Sequence, residues 1–128
     1  MSHAHTCVWI DHREARVFDI GLEGANEATV REAGPHRHIH RKADHVHGGK
    51  DPPDERFLGQ VADALGGARA ILIAGPGLAK DQLATYLTHR RPEIAARVWG
   101  METLDRRSDG EIVANARRFF RGADRMHG

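Results

Sequence analysis

Residues 70–80 read Ala70-Ile71-Leu72-Ile73-Ala74-Gly75-Pro76-Gly77-Leu78-Ala79-Lys80. An uninterrupted apolar run this short, closed by a Gly-Pro-Gly turn, is the pattern of a strand covered on both faces, as in the centre of an α/β sheet. A helix is expected directly after the turn, from about Leu78 to His89. Upstream, Phe57, Leu58, Val61, Ala62 and Leu65 share one helical face. Pro52-Pro53 opens that helix with Asp51 as its cap, and Gly66-Gly67 stops it. Residues 7–10 and 15–20 are two apolar, β-branched runs separated by Asp11-His12-Arg13-Glu14, which reads as a hairpin. A third strand is expected at 28–32, with resumption toward His40 interrupted by Gly34-Pro35.

Downstream of the central run, a helical turn is expected at 92–96 and a last strand at 97–103. Ser108 and Glu111 have capping-box spacing, and the helix they open bears Ile112, Val113, Ala116, Phe119 and Phe120 inward, with Gly122 as its expected end. The order is β-β-β-α-β-α-β-α. Hairpins followed by crossovers that return parallel strands give an α/β fold, a mixed five-stranded sheet flanked by helices. The 128 residues suit one domain, and neither an internal repeat nor a dividing linker is visible.

With aromatics at 5% and hydrophobic residues at 40%, the core falls to Ile, Leu, Val and Ala. Trp9, Trp99, Phe119 and Phe120 are placed in it. Cys7 is the only cysteine, which excludes an internal disulfide and marks a small residue on an apolar strand. No apolar run reaches the length of a membrane span and residues 1–6 have no signal core, so a cytoplasmic protein is expected. The formal net charge of +1 does not by itself announce a nucleic-acid binder.

The distribution of charge says more. Between His36 and Lys50 every ionisable side chain except Asp44 is His, Arg or Lys, so this segment gains positive charge as pH falls. Residues 41–51 lack apolar periodicity and hold Gly48-Gly49, which predicts an exposed mobile loop at about 36–52. Arg37, Arg41, Lys42 and Lys50 suit phosphate contacts, His45 and His47 suit phosphate contact or stacking on bases, and Gly48-Gly49 permits close backbone approach. A second reading of the segment is a zinc or other transition-metal site. His36, His38 and His40 have the alternate spacing that projects from one side of a strand, and so do His45 and His47. No cysteine pair accompanies them, and a solvated basic surface is the plainer reading.

Gly75 and Gly77 with Lys80 form a weaker candidate anion site, because a helix N-terminus presents unpaired N–H groups. The spacing is not that of a P-loop, so no nucleotide is expected; a tight strand-to-helix turn is the competing account. Asp11, with Asp105 and Asp109, would be the start of a nuclease metal set, but the central strand brings no acid and Asp11 reads as turn chemistry. No catalytic residue is assigned.

The run ILIAGPGLAK, from Ile71 to Lys80, resembles the strand-loop-helix in the central domain of archaeal and eukaryotic peptide-chain release factors and of the ribosome-rescue protein Pelota. Gly48-Gly49, ahead of a helix expected near Pro53, stands where the release factors carry their Gly-Gly-Gln tip. From Val8-Trp9-Ile10-Asp11 to the helix Ser108-Asp109-Gly110-Glu111, the chain resembles the small bacterial translational machinery components. That resemblance implies a ribonuclease-H-like sheet and the ribosome or a structured RNA as partner. Lys50 stands where release factors have their glutamine, so hydrolysis of peptidyl-tRNA is not carried over, and Pelota, which lacks the tip, is the nearer functional parallel. Neither a stop-codon-reading domain before this one nor a partner-binding domain after it is expected, and the oligomeric state stays open. The resulting expectation is a ribosome- or RNA-associated protein that binds through residues 36–50 without catalysis. The alternative is a small metal-binding or metal-dependent hydrolytic domain.

Overall fold

The computed structural model describes residues 3–21, 25–31 and 55–127. Along the chain these form β1 (His3–Ile10), β2 (Glu14–Ile20), β3 (Ala25–Arg31), α1 (Glu55–Ala64), β4 (Ala68–Gly75), α2 (Ala79–Arg90), α3 (Pro92–Ala95), β5 (Val98–Thr103) and α4 (Asp109–His127). The strands lie in one sheet in the order β3-β2-β1-β4-β5. The hairpin-linked strands pair antiparallel, whereas β1 with β4 and β4 with β5 pair parallel across helical crossovers. A mixed sheet flanked by helices is thus the architecture.

The central strands β1 and β4 have helices against both faces, which explains why neither alternates apolar with polar residues. On one face Val8, Ile10, Ile71 and Ile73 pack against Phe57, Leu58, Val61 and Ala62 of α1, Leu83 and Leu87 of α2, and Ile94 of α3. On the other, Cys7, Trp9, Phe18, Leu72 and Ala74 meet Ile112, Ala116 and Phe120 of α4. Each fully buried aliphatic or aromatic side chain contributes about 1.5–3 kcal/mol, so both helix layers are held mainly by this burial.

Several boundaries differ from the sequence reading. β1 begins at His3, well before its apolar run, because His3 and His5 pair in register with Ala68 and Ala70 of β4. β3 spans Ala25–Arg31 rather than 28–32. The expected cap and opening of α1 at Asp51, Pro52 and Pro53 lie outside the described residues. Gly122 does not end the last helix, which runs on to His127. Its φ is not in the left-handed region, so it lacks the conformation by which glycine terminates a helix. The capping box is present: the Ser108 backbone N–H donates to Glu111 Oε1 at 3.1 Å, and the Glu111 N–H donates to Ser108 Oγ at 3.2 Å. Trp9 and Phe120 are buried as expected, whereas Trp99 and Phe119 are half-buried. Gly100 has a packing reason, since a Cβ there would stand 2.7 Å from the Phe119 ring.

Candidate functional site

The carboxyl end of the parallel strands brings together the hairpin 11–14, the turn 75–78 and the segment 104–109. Its centre is Trp9, fully buried, whose indole N–H donates to the Leu104 carbonyl at 2.9 Å. The guanidinium carbons of Arg16 and Arg106 lie 5.4 and 5.5 Å from the centroid of the Trp9 ring, within range of a cation–π attraction. Acids bind both cations. Arg16 contacts Glu14 at 3.0 Å and Asp109 at 2.8 Å; Arg106 contacts Glu14 at 3.0 Å and Asp11 at 3.4 Å. Burial alone would lower the Arg16 pKa, but the Glu14 and Asp109 carboxylates outweigh it and hold the guanidinium more firmly protonated than usual.

This network disposes of the carboxylates a nuclease would need. Asp11 Oδ1 accepts the backbone N–H groups of Arg13 and Glu14 at 2.8 and 2.9 Å, the turn chemistry expected of it. Asp105 is paired with Arg107 at 2.8 Å and Asp109 with Arg16. Guanidinium groups therefore stand between acids that two-metal chemistry would require to converge on a common point. Among the described residues, no group of three or more His, Cys, Asp or Glu side chains is placed to hold a metal ion.

The turn after β4 places Gly75, Gly77 and Lys80 together. Gly75 has a steric cause of its own: a Cβ there would lie 2.1 Å from the Ile10 carbonyl oxygen, so only glycine lets β4 end against β1. Its carbonyl accepts the Leu104 N–H at 2.9 Å. The Lys80 ammonium donates to the Gly77 carbonyl at 2.6 Å and lies 3.8 Å from the Asp81 carboxylate. This pattern closes the turn from within, and Gly77 has open space beside it.

The other sequence candidates lie outside the described residues: Arg37, Arg41, Lys42, Gly48, Gly49 and Lys50, with His36, His38, His40, His45 and His47. Cys7 sits between the sheet and α4, where burial first and the Glu102 charge second push its thiol up to about 12, so it is an inert core group. The Trp9 clamp escaped the sequence reading. Its partners Trp9 and Leu104 are 95 residues apart, and neither arginine has a local motif to announce it. Among the described residues, no helix is long and apolar enough to cross a membrane.

No protein-family model and no curated protein sequence matches the chain. Solved structures do. The Pelota protein of Archaeoglobus fulgidus superposes with a TM-score of 0.63 at 19% identity, over 89% of this chain and 30% of that one. The Pelota protein of Thermoplasma acidophilum gives 0.59 at 26% identity, over 85% of this chain and 30% of that one. The archaeal translation termination factor aRF1 gives 0.56 at 14% identity, over 98% of this chain and 39% of that one. The chain thus spans between 30% and 39% of the length of these neighbours, and its fold is that of a Pelota- and release-factor-like domain.

Proposed function

We propose that this chain is a translation-factor-like protein that binds the ribosome or a structured RNA in the cytoplasm without catalysing a reaction there. The observation that carries this reading is the fold shared with Thermoplasma acidophilum Pelota across 85% of the chain at 26% identity. The strand order β3-β2-β1-β4-β5, with parallel strands after an antiparallel meander, supports a ribonuclease-H-like architecture. The pairing of Asp11, Glu14 and Asp109 with arginines supports binding without metal-assisted cleavage.

The contact element in this reading is residues 36–50. Four cations, Arg37, Arg41, Lys42 and Lys50, face a single acid, Asp44, in that segment. Such a segment neutralises phosphates and releases counterions, which makes its binding fall steeply with salt. Gly48-Gly49 supplies backbone able to enter a narrow channel, and Lys50 supplies a cation where a hydrolytic tip would have an amide.

Co-sedimentation with ribosomes and separated subunits across a salt series tests this reading. Saturable, salt-sensitive binding is expected, and it should be lost in the R37A/R41A/K42A/K50A variant. Binding that persists unchanged in that variant would remove the segment as the contact element, and no binding at any salt would remove the reading. Metal content and melting temperature with added zinc or nickel, measured on untagged protein, separate it from the histidine metal-site alternative.

A further inference from the structure

We infer that the exposed face of the carboxyl-terminal half of α4 is a second phosphate-binding surface for an RNA backbone, built on Arg118 and Arg121 and separate from residues 36–50. The inference shares with the proposed function the premise that the partner is RNA. Residues 112–127 hold Arg117, Arg118, Arg121 and Arg125 against Asp124 alone, a net +3 in a chain whose total is +1. Residues 36–50 hold another +3, so the rest of the chain is −5. These two segments are therefore net positive within a remainder that is net negative.

The pairing of the arginines sharpens the point. Several arginines elsewhere are paired with acids: Arg90 with Glu55, Arg91 with Asp63 and Glu93, Arg107 with Asp105, and Arg16 and Arg106 with the acids around Trp9, whereas Arg97 donates to the Gly66 and Ala68 carbonyls. On α4 the partner of Arg118 is neutral. The Arg118 guanidinium reaches only the Asn115 side-chain oxygen, at 3.3 Å, and Arg117 donates to the Gly21 carbonyl at 2.6 Å. Among the side chains described on α4, which end at Ala123, and on the elements packed against it, none is a carboxylate in an ion pair with Arg121. Ile112, Ala116 and Phe120 turn to the sheet, which leaves Arg118 and Arg121 on the solvent face. Three residues on a helix rise about 4.5 Å, so the two guanidiniums stand side by side on one face, suited to successive phosphates of one strand. Guanidinium binds phosphate through paired N–H donors and is only weakly hydrated, which suits it to a phosphate backbone.

The test uses a fluorescein-labelled RNA hairpin and anisotropy titrations across a salt series with four proteins: wild type, R118A/R121A, R90A/R91A and R37A/R41A/K42A/K50A. The R90A/R91A control removes the same charge from the end of α2 and the residue after it, where both guanidiniums are already paired. Losing two phosphate contacts should reduce the slope of log K against log salt by about 2, and raise Kd about 60-fold near 0.1 M salt. R90A/R91A should bind like wild type, and equal melting temperatures show that all variants are folded. An equal loss in R90A/R91A, or equal competition by poly-glutamate, would overturn the inference. So would unchanged binding by R118A/R121A beside loss in the 36–50 variant, an outcome that leaves the proposed function standing. The reverse pattern upholds α4 and removes residues 36–50 as a contact. Wild-type protein that ignores the RNA overturns both.

Discussion

Replacing Gly75 by alanine tests whether the end of β4 is set by backbone contact with β1. The added Cβ would stand 2.1 Å from the Ile10 oxygen, 3.3 Å from its carbon and 3.5 Å from its nitrogen. Ordinary contact begins at 3.4 Å, so the strands must part by more than about 1 Å. No flexible side-chain tip can give way, because the obstacle is the main chain of a strand covered on both faces. Parting also strains the 2.9 Å bond from the Leu104 N–H to the Gly75 carbonyl, and through Leu104 the indole bond of Trp9. Overpacking of this kind costs about 1–3 kcal/mol and a weakened hydrogen bond about 1 more. A total near 3 kcal/mol corresponds to a fall in Tm of about 10–15 °C for a chain of this size. Calorimetry beside urea unfolding measures it. Gly77→Ala is the internal comparison: open space surrounds that position and its φ is not left-handed, so its stability should hold or rise by up to about 1 kcal/mol. A fall of less than about 3 °C in Gly75→Ala, or equal falls in both variants, would refute the steric account.

Two further outcomes are expected. The Cys7 thiol titrates near 12 in the folded state against an ordinary value of 9.0, so the folded state holds its proton longer. That contribution is intact below 9.0 and is lost as pH rises from there toward 12, by up to about 1.4 kcal/mol per pH unit. Urea midpoints at pH 8 and pH 10 should diverge in wild type and less so in Cys7→Ala, and alkylation at pH 8 should require unfolding; rapid alkylation of folded protein would contradict the burial. Ser108→Ala removes the hydroxyl half of the reciprocal cap on α4, leaving the backbone N–H bond to Glu111, and should lower Tm by a few degrees. Because the Ser108 N–H and hydroxyl hold the Glu111 carboxyl below its ordinary value, the wild-type cap should weaken as pH falls through the acid range, a dependence the variant should show less strongly because its backbone N–H remains.

The helix and strand order was legible because its signals are local. An unbroken apolar run in β4, a 3.6-residue period in α1, and Ser108 with Glu111 three apart each depend on near neighbours only. The misplaced boundaries were those set by distant partners. His3 joins β1 through pairing with Ala68, and Gly122 stays helical because nothing draws its backbone into the left-handed region. For the site, Asp11 was readable as a turn residue because the N–H groups that donate to it are two and three positions away. The clamp of Arg16 and Arg106 on Trp9 was not, since it joins the first hairpin to the segment after β5.

By itself, the amino-acid order determined the alternation of strands and helices, the cap that opens α4, the aliphatic core and the excess of positive charge in two segments. All of these follow from backbone preference, side-chain period and composition within a window of a few residues. Only the tertiary structure decided which charges survive at the surface. Folding laid Glu14, Asp11 and Asp109 against Arg16 and Arg106, which neutralised one end of the sheet. The same packing turned Ile112, Ala116 and Phe120 inward, so that Arg118 and Arg121 were left facing water. Whether a cation is free depends on what lies within about 4 Å of it in space, and separation along the chain carries no such distance.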